Sequence, residues 1–242
     1  MVGSTVLEGL RARVRAIEGG GIDFGRETAS LGEPLDAALP WGGLPYRVLH
    51  EVSGLAATSA VAAFARRFLR RGGVLVWCRD TGLTPELGEL HGPGLARFGL
   101  APERVIVVQA RGAAEVAWAF AEALRCRGGV ACAVAEIGPR LDLSLSRSLQ
   151  LAAEAGGGAG LVLRPELDLA PNAALTRWRA EPAPGAGGLG WRLSLWRAKG
   201  GPPGAWTVRW DEQALSFALA ARMADRAAAA QGTPRRQAVS AG

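Results

Sequence analysis

Short, continuous runs of apolar residues recur along the chain, and turn-forming or charged residues bound each of them. Such runs are typical of strands that are buried on both faces of a parallel sheet. They predict strands at residues 48–52, 74–78, 105–108, 130–137 and 160–164.

Segments with a helical apolar period separate these runs. Within residues 58–71, Val61, Phe64 and Phe68 fall on one face, and two glycines follow. Similar segments predict helices at residues 31–39, 113–127 and 144–155. Strands and helices that alternate at this spacing predict right-handed crossovers and a doubly wound, mostly parallel α/β sheet.

The pattern changes to strict alternation in the last third of the chain. Residues 176–181, 191–198 and 207–210 predict short antiparallel strands, so the sheet is expected to end in an antiparallel meander. Residues 214–226 predict a last helix, in which Leu215, Phe217 and Leu219 are candidates for binding a partner protein.

An amphipathic helix is predicted at the N-terminus, over residues 6–18. Its apolar side carries Leu7, Leu10, Val14 and Ile17. A helix this short is marginal alone, so this side is expected to dock on its own domain or on another chain. We therefore divide the chain into an N-terminal helix and tether (1–21), a core domain (22–211) and a C-terminal helix with a disordered basic tail (212–242).

The composition is basic, with a formal net charge of +6 over 242 residues. This charge permits binding to DNA, RNA or an acidic protein surface without requiring it. Lys199 is the only lysine among 28 basic residues, which is typical of a GC-rich coding sequence, and part of the arginine content then reflects codon usage.

Several classes of function are excluded by what the sequence lacks. The three cysteines and two histidines have no metal-ligand spacing, and an odd cysteine count argues against a disulfide framework. No G-x-S-x-G nucleophile elbow occurs. No apolar stretch is long enough to cross a bilayer, and no secretory signal pattern is present, so we expect a cytoplasmic protein.

Residues 40–59 have the turn, strand, loop and helix order of a phosphate-binding loop. A working loop reads G-x-x-x-x-G-K-[ST], because backbone amides, a lysine and a hydroxyl hold the phosphates and magnesium. Here Gly54 is followed by neither a second glycine nor a lysine. The residues of this degenerate nucleotide pocket would be Gly54, Thr58, Ser59 and, at a strand end, Glu136. We expect no bound ATP or magnesium and no ATPase activity.

Arginine and tryptophan are interleaved in the predicted meander. Arginine beside aromatic residues suits contact with a nucleic-acid backbone and with its bases. The alternative is that the tryptophans form a core and the arginines lie on its solvent side. The DNA-binding candidates are Arg140, Arg164, Arg177, Arg179, Arg192, Arg197 and Lys199.

The order of elements resembles the RecA recombinase fold and, within it, the ImuA-type SOS mutagenesis accessory proteins of bacteria. The resemblance covers residues 31–211 and is carried by residues 31–39, by the turn Gly42-Gly43-Leu44-Pro45 and by residues 94–100. The segment 191–210 resembles the late meander of the recombinases, with Arg197 and Lys199 where they carry two basic residues.

This resemblance implies a non-catalytic accessory protein of SOS-induced, error-prone translesion DNA synthesis. The partners it implies are an inactive Y-family polymerase-like protein (ImuB), an error-prone C-family polymerase, RecA and single- or double-stranded DNA, with nucleoid association after DNA damage. Two alternatives remain: a divergent DNA-stimulated ATPase that borrows Lys199 from a neighbouring chain, and a cell-division inhibitor of the SulA type.

Overall fold

A computed structural model describes residues 27–69, 72–138, 141–166, 168–183 and 188–220. The predicted N-terminal helix, with Leu7, Leu10, Val14 and Ile17, and the predicted basic tail lie outside these ranges, as does the DNA-binding candidate Arg140.

The described residues form short and long helices around one large sheet. The helices are α1 (Glu33–Asp36), α2 (Ala57–Phe68), α3 (Thr84–Leu87), α4 (Gly92–Ala96), α5 (Gly112–Arg125) and α6 (Leu143–Gly156). The strands are β1 (Thr28–Ala29), β2 (Leu44–Pro45), β3 (Leu49–Ser53), β4 (Val74–Asp80), β5 (Val105–Ala110), β6 (Val130–Glu136), β7 (Ala159–Arg164), β8 (Thr176–Pro182), β9 (Gly190–Ala198), β10 (Gly204–Asp211) and β11 (Ser216–Leu219).

The large sheet has nine strands in the order β5-β4-β6-β7-β3-β8-β9-β10-β11. The first six of these are mutually parallel, and β8 to β11 form antiparallel pairs. The predicted mixed α/β fold, with a mostly parallel sheet that ends in an antiparallel meander, is confirmed.

Helices cover the two faces of the sheet and enclose two separate cores. We call the core under α2 the α2 core; it contains Phe64 and Phe68 together with the buried meander tryptophans. The core under α5 and α6, the α5–α6 core, contains Phe120 and Leu149. Helix α2 thus covers one face of the sheet, and α5 and α6 cover the other.

The two-stranded sheet of β1 and β2 precedes β3 and fixes the turn at Gly42 and Gly43. Gly43 has a φ of 152°, and a Cβ at this position would lie 2.8 Å from the carbonyl oxygen of Ala29. The turn therefore requires glycine, because any side chain would collide with β1.

Strand β5 differs from its predicted environment. Its apolar run predicts burial on both faces, yet β5 is an edge strand, and Ile106 and Val107 are 51% and 45% exposed. An apolar run reports the preference for a strand, whereas its position in the sheet depends on pairing elsewhere in the chain.

The meander keeps the predicted alternation until the register shifts between Arg177 and Trp178. Trp191, Leu193 and Leu195 face the α2 core, while Trp196 and Arg197 are both exposed and Ala198 is buried. The bulge therefore places two consecutive side chains of β9 in solvent.

The helix predicted from residue 214 is wrong over residues 214–219. Residues Ser216–Leu219 form β11, which pairs antiparallel with β10, so the sheet continues past the predicted boundary at residue 211. Phe217 is 3% exposed and lies in the α2 core, between Phe64, Trp191 and Trp210. Leu215 and Leu219 are half-buried against the same core. These side chains therefore stabilise this domain rather than form an exposed docking helix.

Within the part of the chain that the structure describes, no helix is long and apolar enough to span a membrane.

Candidate functional site

The loop between β3 and α2 consists of Gly54, Leu55 and Ala56 and lies directly against β8. Gly54 has a φ of 102°, and a Cβ there would lie 2.6 Å from the carbonyl oxygen of Ala180. The N–H of Ala56 donates to that same oxygen over 3.0 Å. A backbone amide that could face a phosphate is thus bound to the sheet.

The hydroxyl of Ser59 is also bound inside the protein. Its Oγ donates to the carbonyl oxygen of Ala56 over 3.0 Å and accepts from the indole Nε1 of Trp191 over 2.9 Å. Thr58 is half-buried in the same first turn of α2. Ser59 therefore connects α2 to the meander, which is a structural role.

Glu136, at the end of β6, is bound within the interior of the α2 side of the sheet. It is 1% exposed, and its Oε1 accepts from Trp77 Nε1 and Arg79 Nε, both over 3.0 Å. Burial raises the pKa of Glu136, while the hydrogen bond and charge of Arg79 lower it. Arg79 in turn binds Glu89 and the carbonyl oxygen of Gly88.

A second buried ion network surrounds Glu51 of β3, which is 1% exposed. Its Oε1 accepts from Arg177 over 2.9 Å and lies 4.0 Å from Arg164, and its Oε2 accepts from Asn172. The guanidinium of Arg164 lies 3.3 Å from the carboxylate of Asp168. A hydrogen bond from the backbone N–H of Ala170 and the charge of Arg164 lower the pKa of Asp168. Removing one partner from such a buried network costs about 3–5 kcal/mol, because the remaining charges lose their compensation.

A cavity of about 460 Å³ opens beside this network, at the carboxyl ends of β4, β6 and β7. It is lined by Leu83, Glu86, Gly138, Arg164 and Leu169 among others. Ligands of open α/β sheets bind at this edge. Here the guanidinium of Arg164 is already bound to Asp168 and to the carbonyl oxygen of Gly138, so its charge is compensated within the protein.

A separate groove of about 390 Å³ lies between α6 and the end of β9, and we call it the basic groove. Arg147 of α6 meets Arg197 and Lys199 there, and Leu143 and Leu151 lie beside them. Burial, together with the charges of Arg197 and Arg147, lowers the pKa of Lys199, and Glu154 opposes this effect. The groove lies on the α6 side of the sheet, opposite the β3–α2 loop.

Two known proteins are similar to this chain over most of its length. The chain is 36% identical over 239 residues to Protein ImuA of Caulobacter vibrioides, in strains NA1000 / CB15N and ATCC 19089 / CIP 103742 / CB 15 alike. The match covers 86% of this chain and 94% of each relative. The chain belongs to the ImuA family. A search of protein-family models gave no match.

The predicted nucleotide-pocket residues of this family member are only partly brought together. Gly54, Thr58 and Ser59 share the β3–α2 corner, whereas Glu136 is bound to Trp77 and Arg79. Lys199 lies on the other face of the sheet, in the basic groove. Within one chain, these residues do not assemble a phosphate site with a lysine.

The predicted DNA-binding residues occupy different environments. Arg164 and Arg177 are 2% and 6% exposed in the Glu51 network, and this burial argues against their contact with DNA. Arg192 and Arg197 are exposed, and Arg179 is exposed but paired with Glu181 over 2.6 Å. For these arginines, DNA contact stays a prediction. Trp178, Trp191 and Trp210 are core residues, as the alternative interpretation had it, while Trp196 is 47% exposed.

The sequence reasoning missed Glu51 and the α6 residues of the basic groove. A glutamate in the middle of an apolar strand was the available signal for Glu51. On α6, residues 143, 147 and 151 follow one another at a spacing of four, which places them on one helix face. The helical period of this segment predicts the buried side, on which Leu149 and Ala152 lie, and gives no signal for a function of the exposed side.

Proposed function

We propose that this protein is a non-catalytic, RecA-like accessory protein of SOS-induced, error-prone translesion DNA synthesis. Its membership of the ImuA family carries this proposal. The name of the Caulobacter relatives, Protein ImuA, supports a role in SOS mutagenesis. The β3–α2 loop, which is hydrogen-bonded to β8, supports an adaptor rather than an enzyme.

The strand, loop and helix formed by β3, residues 54–56 and α2 support the RecA-like assignment, as does the meander that follows the parallel strands. A parallel sheet with this connection is the scaffold on which phosphate loops are built. Fold alone does not determine activity, so the proposal of an adaptor is argued from the residues of the site.

The contacts of the β3–α2 loop support the proposed absence of ATPase activity. Phosphoryl transfer depends on positioning and on charge neutralisation. In this loop the amide of Ala56 is bound to Ala180, and in the first turn of α2 the hydroxyl of Ser59 is bound to Trp191. The loop sequence also contains no lysine.

The partners that we propose are the inactive Y-family polymerase-like protein ImuB, the error-prone C-family polymerase and RecA. An adaptor of this kind contributes surfaces rather than chemistry. Deleting its gene should therefore abolish damage-induced mutagenesis, although the purified protein has no enzymatic activity of its own.

The test combines genetics with calorimetry. Deleting the gene in its own host should reduce the damage-induced mutation frequency to that of uninduced cells, and the wild-type chain should restore it. The Thr58→Ala variant should restore it equally, because Thr58 has no catalytic role in this proposal. Titration of the purified chain with MgATP should show no heat of binding.

Two results would overturn the proposal. An unchanged mutation frequency in the deletion strain would remove the role in mutagenesis. MgATP hydrolysis that is stimulated by DNA and lost in Lys199→Ala would favour the ATPase that borrows a lysine from a neighbouring chain.

A further inference from the structure

The basic groove has a strong excess of positive charge. Arg147, Arg197 and Lys199 converge on it, and no acidic residue is among the described residues that line it. Glu154 is the carboxylate whose charge acts on Lys199, and its Oε1 accepts a hydrogen bond from Gln150 over 2.8 Å. A groove lined by three cations attracts an anionic ligand.

The groove destabilises the charged form of Lys199 relative to a lysine in water. It is half-buried, and its pKa is lowered by burial and by repulsion from Arg197 and Arg147. A bound carboxylate or phosphate would relieve that repulsion.

The apolar part of the groove distinguishes between these anions. Leu143 and Leu151 are 41% and 64% exposed and lie on the same face of α6 as Arg147. Single exposed leucines are common on protein surfaces, but these two flank a cationic groove. A charged phosphodiester backbone offers little apolar surface to leucine side chains, and single-stranded nucleic-acid sites typically add aromatic side chains for stacking. Among the residues that the structure describes, those that line the groove include no aromatic group.

We propose that the basic groove binds an acidic segment of a partner protein, whose carboxylates meet Arg147, Arg197 and Lys199 while its apolar side chains cover Leu143 and Leu151. A volume of about 390 Å³ accommodates a few side chains, which suits a peptide segment rather than a folded domain. This inference rests on the adaptor function proposed above, for which it supplies a docking surface.

Three fluorescent probes test the proposal by anisotropy with the purified full chain. The first is a 16-residue amphipathic peptide that carries leucines on one helix face, at spacings of three and four residues, and glutamates beside them. The second has every leucine replaced by serine at the same charge, and the third is a single-stranded 20-mer oligodeoxynucleotide. The leucine peptide should bind most tightly, and added salt should weaken its binding, because the contacts are electrostatic in part.

Matched variants assign the site. The Arg147→Ala/Lys199→Ala double variant should weaken binding of the leucine peptide by about tenfold or more, which corresponds to about 1.4 kcal/mol. Leu151→Ser should weaken binding of the leucine peptide but leave binding of the serine peptide unchanged. Arg127→Ala and Leu55→Ser remove an exposed arginine and an exposed leucine outside the groove, and they should bind as the wild type does.

The proposal is overturned by no binding of the leucine peptide, by equal binding of the two peptides, or by equal losses in the control variants. Preferential binding of the oligonucleotide, lost in Arg147→Ala/Lys199→Ala, would also overturn it and would assign the groove to nucleic acid. The readout is independent of mutagenesis in cells, so a failure here is distinguishable from a failure of the proposed function.

Discussion

His50 is a residue whose chemistry is fixed by its neighbours. Its Nε2 lies 3.0 Å from the carbonyl oxygen of Pro45, so Nε2 must carry the proton. Its Nδ1 then accepts from the hydroxyl of Thr176 over 2.8 Å, and that oxygen accepts from the indole of Trp178 over 2.9 Å. The neutral tautomer therefore connects the turn before β3 to the meander.

This arrangement predicts a loss of stability in mild acid. Burial lowers the pKa of His50 from 6.5 to about 4, although its hydrogen bond to Pro45 opposes the shift. As the pH falls below 6.5, the unfolded chain binds a proton that the folded chain does not. The free energy of unfolding should therefore fall by about 2 kcal/mol between pH 7 and pH 5 from this group.

Chemical denaturation at the two pH values measures the effect. In His50→Gln this part of the pH dependence should disappear, while His91→Gln should retain it, because His91 is exposed. Identical pH dependence in wild type and His50→Gln would show that His50 does not remain neutral.

At the scale of single elements, β11 shows how a short edge strand is anchored. Phe217 packs against Phe64, Trp191 and Trp210, with ring centroids 5.3 to 5.5 Å apart. The carbonyl oxygen of Leu215 accepts from the guanidinium of Arg67. A strand of four residues is therefore bound to both the meander and α2.

Phe217→Ala should destabilise the fold by about 3–5 kcal/mol, since it removes a buried ring and leaves a cavity. Thermal and chemical unfolding measure this effect. Trp196→Ala is the matched control, because it removes an exposed aromatic ring from the same sheet and should change stability by less than about 1 kcal/mol. Equal stability of Phe217→Ala and wild type would favour the original interpretation of Phe217 as a partner-binding residue.

The sequence predicted those elements whose local pattern agrees with their environment. The central strands β4, β6 and β7 are buried apolar runs, and α5 and α6 have clear helical periods. It failed at β11, because the segment around Phe217 is short and rich in alanine, and pairing with β10 decides its structure.

The sequence likewise predicted those features of the candidate site that are local, and missed those that depend on contacts between distant segments. The missing lysine after Gly54 is visible in the sequence, whereas the closeness of Ala56 to Ala180 is not. The basic groove combines residues from α6, from the segment before β8 and from β9. No local pattern contains that combination, since contacts across the chain create it.

At the scale of the whole molecule, one sheet is shared by two cores. Cys132 lies in the α2 core and Cys78 in the α5–α6 core, on strands that are neighbours in the sheet. Separation of the strands would expose both cores to solvent, because the sheet forms one side of each core. We therefore expect the two layers to unfold together.

Thiol reactivity tests this cooperativity. Burial raises the pKa of Cys78 to about 12 and also raises that of Cys132, whereas Cys126 is exposed. At pH 8 a thiol reagent should modify Cys126 rapidly and the two buried thiols only upon unfolding. Across a denaturant gradient, mass spectrometry should find Cys78 and Cys132 becoming reactive at the same midpoint.

Cys126→Ser serves as the control and should lack the rapid phase. Separate midpoints for Cys78 and Cys132 would show that one layer opens without the other.

The short connection between β3 and α2 also bears on how this protein could change in evolution. A phosphate loop of the G-x-x-x-x-G-K-[ST] type needs more residues than the three that join β3 to α2 here. A single substitution to lysine would add charge without adding the length of backbone that surrounds a phosphate. Recovery of nucleotide chemistry would require an insertion and the release of the loop from β8. Nucleotide binding at this corner would therefore take several coordinated changes rather than one substitution.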